Sequence, residues 1–424
     1  MIKISTLKEN IQSGALDSRF ARLDSNIQAR RERFAALCDD YAKHIGSEGE
    51  IRLFSAPGRT EVGGNHTDHN HGKVLAASIN LDVIALASVN DKNIITVKSK
   101  GYEKTDVVDL SVLTPVAGEE DHSAALIRGT AARFKELGYN IGGFNAVTVS
   151  QVLSGSGLSS SAAFEVLIGT ILNYMYNDGK ISPVEIAQIA QYAENKFFGK
   201  PCGLMDQMAC SVGGFVEIDF KDPAAPIIEP VNFDFASCRH SLCIVDTRAD
   251  HADLTDEYAA IRREMEAAAA CFSKSCLREV EYEQFLGNIS TVREKCNDRA
   301  VLRALHFFAE NKRVDAESAA LKANNFDEFK KLVIESGFSS YMYNQNVFSA
   351  LAPTAQPVSL ALSISQNVLE GKGAWRVHGG GFAGTIQAFV PNELVDDYIA
   401  AIEKVFGEGA CYVLAIRAVG GAEL

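Results

Sequence analysis

Residues 154–163 read Ser154-Gly155-Ser156-Gly157-Leu158-Ser159-Ser160-Ser161-Ala162-Ala163. The segment before them, NAVTVSQV at 145–152, alternates: Val147, Val149 and Gln151 fall on one face and Ala146, Thr148, Ser150 and Val152 on the other. The segment after them reads as a long helix to about Met175. A strand, a Gly/Ser turn and a helix therefore come in succession. Two glycines allow close backbone approach, and the serines place hydroxyls and N–H groups where the helix dipole favours an anion. The turn lacks the lysine of G-x-x-x-x-G-K-[ST], and Ser160 stands where G-x-G-x-x-G needs a third glycine. Ser154 likewise breaks the nucleophile elbow G-x-S-x-G. A phosphate cradle and a plain serine-capped turn both remain open.

Working outward, residues 1–50 read as helix, and VLAASINLDVIALASV and NIITVKS suit buried strands. Helices are predicted at 123–137 and from Ser182-Pro183, an N-cap and N1 pair, to about Phe197. GGFVEIDF and HSLCIVD read as strands, and residues 254–372 are mostly helical. The chain closes as strand, Gly-rich loop, strand, helix and strand. The fold class is α+β, with mixed sheets and helices in both halves. Length predicts two or three domains at ~100–200 residues each. Gly213-Gly214 and then DPAAP punctuate a boundary, giving domains 1–215 and 216–424.

Hydrophobic residues make up 47% and charged residues 22%, which excludes long disorder. The charge sum, 41 − 54 = −13, argues against nucleic acid as a partner. The longest apolar stretch, 74–89, is broken by Asn80 and Asp82, so no membrane span is expected. MIKISTLKENIQSG lacks the apolar core of a secretory signal. Nine cysteines without a C-x-x-C pair argue against a disulfide framework or zinc ribbon, and for scattered thiols in a reducing compartment.

Two further motifs carry chemistry. Ala56-Pro57-Gly58-Arg59-Thr60-Glu61-Val62-Gly63-Gly64-Asn65-His66-Thr67-Asp68-His69-Asn70-His71-Gly72 is dense in polar groups between apolar flanks. His66, Asp68, His69 and His71 could suggest a metal, but spacings of two, one and two fit no helix face. A solvated loop is a second reading. A sugar-binding loop suits the mix of donors and acceptors better. The other motif is Val377-His378-Gly379-Gly380-Gly381-Phe382-Ala383-Gly384, a close-approach loop or a permissive hairpin between two strands.

Taken in order, the three motifs resemble the GHMP kinase superfamily and, within it, the galactokinases. The first signature of that family, G-R-x-N-x-I-G-E-H-T-D-Y-x-x-G, is similar to Gly58–Gly72; P-x-G-x-G-L-S-S-S-A is similar to Gly155–Ala162; and G-G-G-F-G-G is similar to Gly379–Gly384. Ala193-Glu194-Asn195, Cys202-Gly203-Leu204-Met205-Asp206-Gln207 and Glu257-Tyr258 with Arg262-Arg263 resemble further galactokinase segments. Glu61, Asn65, His69 and Ala383 depart from the pattern, as does SGFSSYMYNQ downstream. The departures bear on the identity of the sugar more than on phosphoryl transfer.

The resemblance implies a two-lobed GHMP-kinase-like fold with the active site in the cleft between lobes. It implies a cytoplasmic kinase using ATP and Mg²⁺ to phosphorylate a hexose at the C1 hydroxyl, foremost α-D-galactose in galactose catabolism, the Leloir pathway. Another galactose-like sugar such as N-acetylgalactosamine, or a non-catalytic sugar and ATP sensor, are the alternatives. The sensors lack the Ser-Ala step, which is intact here as Ser161-Ala162. The implied site gives Asp206 the role of general base and Arg59 that of its charged neighbour. Asn65, His66, Thr67, Asp68 and Tyr258 would hold the sugar. Gly155, Ser156, Gly157, Leu158, Ser159, Ser160 and Ser161 would hold the ATP phosphates, with Ser99 near the nucleotide. Ser161 and Glu194 would hold Mg²⁺. His44, His122, His240, His251 and His306 lie in no motif and are read as structural. The extension over the first ~50 residues and an insertion near 273–298 have no role in the resemblance.

Overall fold

The strand Arg52–Gly63 is buried at every position after its first, although Pro57, Gly58 and Gly63 are poor strand formers. Half of the polar motif expected as a loop is therefore strand, and only the residues after Gly63 turn away from it. Burial on both faces overrides the local breakers. The computed structural model describes residues 3–47, 49–152, 157–199, 202–249 and 254–424. Ser154, Gly155, Ser156 and His251 lie outside the described residues.

Contacts divide the chain into two compact units. One holds 1–59, 78–214 and 417–424, and the other 60–77 and 215–416. The chain thus changes unit at four places, where the sequence suggested one near 215. Two of the changes fall inside long strands, Arg52–Gly63 and Lys73–Val89, that each contribute residues to both units.

In the first unit the strand order is Ala422–Glu423, Arg52–Gly63, Lys73–Val89, Phe144–Ser150, Ile94–Ser99 and Asp106–Asp109. Phe144–Ser150 runs antiparallel to Lys73–Val89 and parallel to Ile94–Ser99. Helices Ser123–Glu136, Ser160–Tyr176, Pro183–Ala193 and Met205–Val212 pack against one another. Ser182 caps the third as expected, its hydroxyl accepting from the Glu185 N–H with Pro183 next in the chain. The N-terminal extension forms helices Ile4–Ser13, Asp17–Phe20 and Ile27–His44, whose apolar faces share a core with Ile84, Leu86, Val147 and Leu424. The extension is also pinned by charge. Asp82, fully buried, accepts from Arg30 at 2.5 Å, Arg33 at 2.6 Å, Ser55 at 2.6 Å and Arg417 at 3.0 Å. Burial alone would raise its pKa, but Arg33, Arg30 and Arg417 hold it well below the usual carboxylate range.

In the second unit Phe215–Asp219 pairs with Lys73–Ala77 and with Ile227–Val231. A four-stranded antiparallel sheet has the order Cys411–Leu414, His240–Asp246, Thr385–Pro391, Ala374–Val377. One core lies between this sheet and helices Pro357–Leu369 and Val395–Phe406. A second core joins Thr255–Ala270 and Asp298–Lys322 to the insertion. Among the described residues no helix is long and apolar enough to cross a membrane.

Candidate active site

The first unit assembles an acid, a cation and the serine turn. Arg59 comes after Gly58, where a Cβ would lie 2.8 Å from the Leu158 carbonyl; lacking one, the strand lies against the turn. The Arg59 N–H donates to that carbonyl at 3.1 Å, and its guanidinium donates to the Gly157 carbonyl. The same guanidinium reaches Asp206 Oδ1 at 2.7 Å, and the Ser159 hydroxyl donates to Oδ2 at 2.5 Å. Asp206 lies in the first turn of helix Met205–Val212 and is one-third exposed, against 9% for the Arg59 side chain. The carboxylate is thus held at both oxygens, by Arg59 on one and Ser159 on the other.

Ser159 has a left-handed backbone and its side chain does not cap helix Ser160–Tyr176. Its hydroxyl is spent on Asp206, so among the described residues no side chain caps the first N–H groups of that helix, the place where an anion is favoured. Of the other loop residues, Leu158 is fully buried, while Ser160 and Ser161 border a cavity of 580 Å³. Ser99 lines the same cavity and accepts from the Thr148 hydroxyl at 3.0 Å. Leu126, Phe164 and Phe198 give the cavity an apolar wall, and Asp106, Ser123 and His122 a polar edge. None of these wall residues belongs to a motif; they are scattered along the chain, and no local pattern could have found them.

Glu194 begins a π-helical turn, Glu194–Phe198, at the end of Pro183–Ala193, and is buried. The Ser161 hydroxyl donates to its Oε1 at 3.2 Å, and Gln207 Nε2 donates to its Oε2 at 2.6 Å. A hydroxyl and a carboxylate side by side are hard oxygen donors, which suit Mg²⁺ when phosphates and waters complete its shell. Among the described residues no group of three or more His, Cys, Asp or Glu forms a metal cage.

The second unit holds the sugar motif and the Gly-rich loop together. Asn65 is fully buried. Its Nδ2 donates to Glu61 at 2.9 Å and to the Gly379 carbonyl at 2.7 Å. Its Oδ1 accepts from Asn346 at 2.8 Å and from Ser340 at 3.2 Å. All four places on the amide are filled by protein. Glu61 is in turn paired to Arg376 at 2.9 Å. Thr67, also fully buried, has its one O–H between the Gly64 carbonyl at 2.8 Å and the Lys73 carbonyl at 2.5 Å. The resemblance gave Asn65 and Thr67 to a sugar; in the structure the Asn65 amide and the Thr67 hydroxyl also hold the turn together.

Three groups in that turn keep open capacity. His66 Nε2 donates to the Gly380 carbonyl at 2.9 Å, and burial lowers its pKa. The neutral ring then presents Nδ1 as an acceptor. Asp68 is half-buried, and its carboxylate has no partner among the described residues. His69 Nδ1 accepts from Asn70 at 2.9 Å, which leaves Nε2–H buried without a partner among the described residues. Burial holds His69 at about 4, so it too is neutral. Tyr258 donates to the Gly381 carbonyl at 2.9 Å and stands edge-on to Phe382. Burial pushes its phenol up to about 12. His306, read as structural, has a positioning role: Nε2 donates to the Asn65 carbonyl and Nδ1 accepts from Ser339, each at 2.8 Å.

The comparisons with known proteins agree with one another. Residues 39–89 match the model described as the galactokinase galactose-binding signature, and 125–214 match the GHMP kinases N terminal domain. A curated galactokinase of Glaesserella parasuis is 32% identical over 87% of this chain and 91% of its own length. One from Actinobacillus pleuropneumoniae is 32% identical over 84% and 89%. This chain belongs to the galactokinase family. It is therefore an enzyme, a sugar kinase whose family uses ATP. The crystal structure of Lactococcus lactis galactokinase complexed with galactose superposes with a TM-score of 0.77 at 25% identity, covering 92% of this chain and all of that one. A mevalonate kinase, with a TM-score of 0.60 at 16% identity, shares the fold. The α+β architecture is that of these kinases.

Proposed function

We propose that this enzyme transfers the γ-phosphoryl group of ATP to the C1 hydroxyl of α-D-galactose, in the cytoplasm and with Mg²⁺. The observation that carries the chemistry is the Arg59–Asp206–Ser159 arrangement beside the serine turn. Asp206 takes the C1 proton as the sugar oxygen attacks phosphorus, and the bond to ADP breaks. Arg59 and Ser159 aim the carboxylate, and Arg59 offsets charge on the transferring group. The first N–H groups of helix Ser160–Tyr176 bind phosphate oxygens. Gly155 and Ser156, which precede Gly157 in the turn, belong to the same proposed phosphate loop. The cavity at Ser99, Leu126 and Phe198 receives the nucleoside. Ser161 and Glu194 hold Mg²⁺, which when bound neutralises charge across the ATP phosphates.

For the sugar, His66 and Asp68 accept from ring hydroxyls, His69 donates to one, and Tyr258 keeps the Gly-rich loop in place. Asn65 and Thr67 act through the shape of the turn. A coupled ADP-release assay over a panel of hexoses, with NMR of the product, tests the reading. Turnover of galactose with phosphorus coupling at C1 supports it. Preference for another hexose, or coupling at a different carbon, overturns it.

A further inference from the structure

The insertion near 273–298 is bracketed by two thiols. Cys271 comes directly after helix Thr255–Ala270, and Cys296 directly after helix Ile289–Lys295. Their Sγ atoms lie 3.7 Å apart across 25 residues of chain, and both residues are half-buried. The placement is set by packing. Leu277, Phe285 and Val292 of the insertion are buried in one apolar cluster with Ile261 and Met265 of the long helix, and both thiols border it. Another pair, Cys243 and Cys411, also touches, but Cys243 is fully buried in strand His240–Asp246 and shielded from solutes.

We propose that Cys271 and Cys296 form a reversible oxidation site that closes to an intramolecular disulfide under a peroxide. One thiol gives up its proton and, as thiolate, attacks an oxygen of hydrogen peroxide; the O–O bond breaks, a sulfenic acid forms, and the hydroxide released takes up that proton as water. The second thiol attacks that sulfur, forms the S–S bond and releases a second water. The two sulfurs supply the two electrons that reduce the peroxide. Closure needs the sulfurs to move from 3.7 Å to about 2.05 Å, a side-chain adjustment between helix ends already held together. Burial pushes the Cys296 thiol up to about 11, so attack through Cys296 is slow at neutral pH and faster in alkali. The disulfide staples the insertion to the helix that carries Tyr258.

The test treats the full chain with hydrogen peroxide at neutral and alkaline pH, alkylates it, digests it without reduction and maps it by mass spectrometry. A peptide pair joining Cys271 to Cys296 is expected, with loss of two of the nine thiols. Tm rises by on the order of 5 °C, and dithiothreitol reverses both changes. Cys271→Ser and Cys296→Ala each keep the reduced-state Tm and lose the oxidant-induced rise. A cross-link at Cys243 and Cys411 alone, irreversible sulfinic acid at either cysteine without a cross-link, or no loss of two thiols overturns the proposal.

Discussion

Replacing Glu317 by Gln should remove a pH dependence that this one carboxyl imposes on its unit. Glu317 lies on helix Asp298–Lys322, fully buried, and neither oxygen has a hydrogen-bond partner among the described residues. Gly63 makes the room: a Cβ there would collide with Oε2. Burial raises the Glu317 pKa well above the usual range; Glu310 and Glu61 add to the rise, while Arg376 and Arg313 oppose it. Both arginines already serve other acids. Arg376 pairs with Glu61, and Arg313 with Glu310. Glu317 is therefore protonated in the fold and ionised in the unfolded chain. Below the ordinary carboxylate range the two states bind the same proton and nothing is lost. As pH rises through the window up to the folded value, the unfolded state releases its proton and the folded state does not. Stability falls by about 1.4 kcal/mol per pH unit across that window. Gln mimics the protonated carboxyl and has no proton to release. Relative to the parent, Glu317→Gln should gain about 1.4 kcal/mol per unit from about pH 5 upward. Trp375, the sole tryptophan, is buried in the same unit, so urea melts tracked by its fluorescence report the right transition. A stability difference that stays flat with pH would refute the argument, since it would mean the buried carboxyl is already ionised.

Asp206→Asn keeps the contacts to Arg59 and Ser159 in shape but cannot take a proton, so kcat should fall ~10²–10⁴-fold with substrate affinities kept. Arg59→Ala should also lose rate, and the double variant less than the product of the singles; steady-state kinetics decides, and near-normal turnover by Asp206→Asn would remove the base. Glu194→Gln should raise the Mg²⁺ concentration needed for half-maximal rate while calorimetric binding of free galactose is unchanged. Asp82→Asn leaves Arg30, Arg33 and Arg417 without their shared counter-charge and should cost about 3–5 kcal/mol in urea melts; a loss under about 1 kcal/mol would make the clamp dispensable. Asn65→Glu sets a second buried carboxylate against Glu61, so it should lower the yield of folded protein rather than shift sugar preference, as thermal melts and a hexose panel will tell apart.

The sequence made some of the fold legible because some elements declare themselves locally. Ser182-Pro183 marks a helix start by capping chemistry alone, and the Ser182–Glu185 hydrogen bond is there. The strands at 73–89 and 94–99 are evident from β-branched, apolar composition. Arg52–Gly63 does not declare itself, because Pro57, Gly58 and Gly63 argue against a strand that burial on both faces then enforces. The split into units was equally hidden. Nothing near residue 59 or 77 marks a boundary, since each lies inside a continuous strand.

The motif gives Asn65, His66, Thr67 and Asp68 as four polar residues in a row, equally suited to hydroxyls. Composition cannot say which of them are already spent. Asn65 has four filled places and Thr67 two carbonyls, whereas Asp68 has none among the described residues and His66 keeps Nδ1. The groups that spend them lie far along the chain: Asn346 and Ser340 for the amide, His306 for the Asn65 carbonyl. Glu61, four residues before Asn65, supplies the carboxylate that the amide ties to Arg376. An acid at 61 and an amide at 65 therefore form one unit, and the charge it carries is neutralised inside the protein. In the proposed function the groups that meet the sugar are the neutral His66 imidazole, the Asp68 carboxylate and the His69 Nε2–H. Specificity in this enzyme should accordingly respond to His66, Asp68 and His69 directly, and to Asn65 only through the fold.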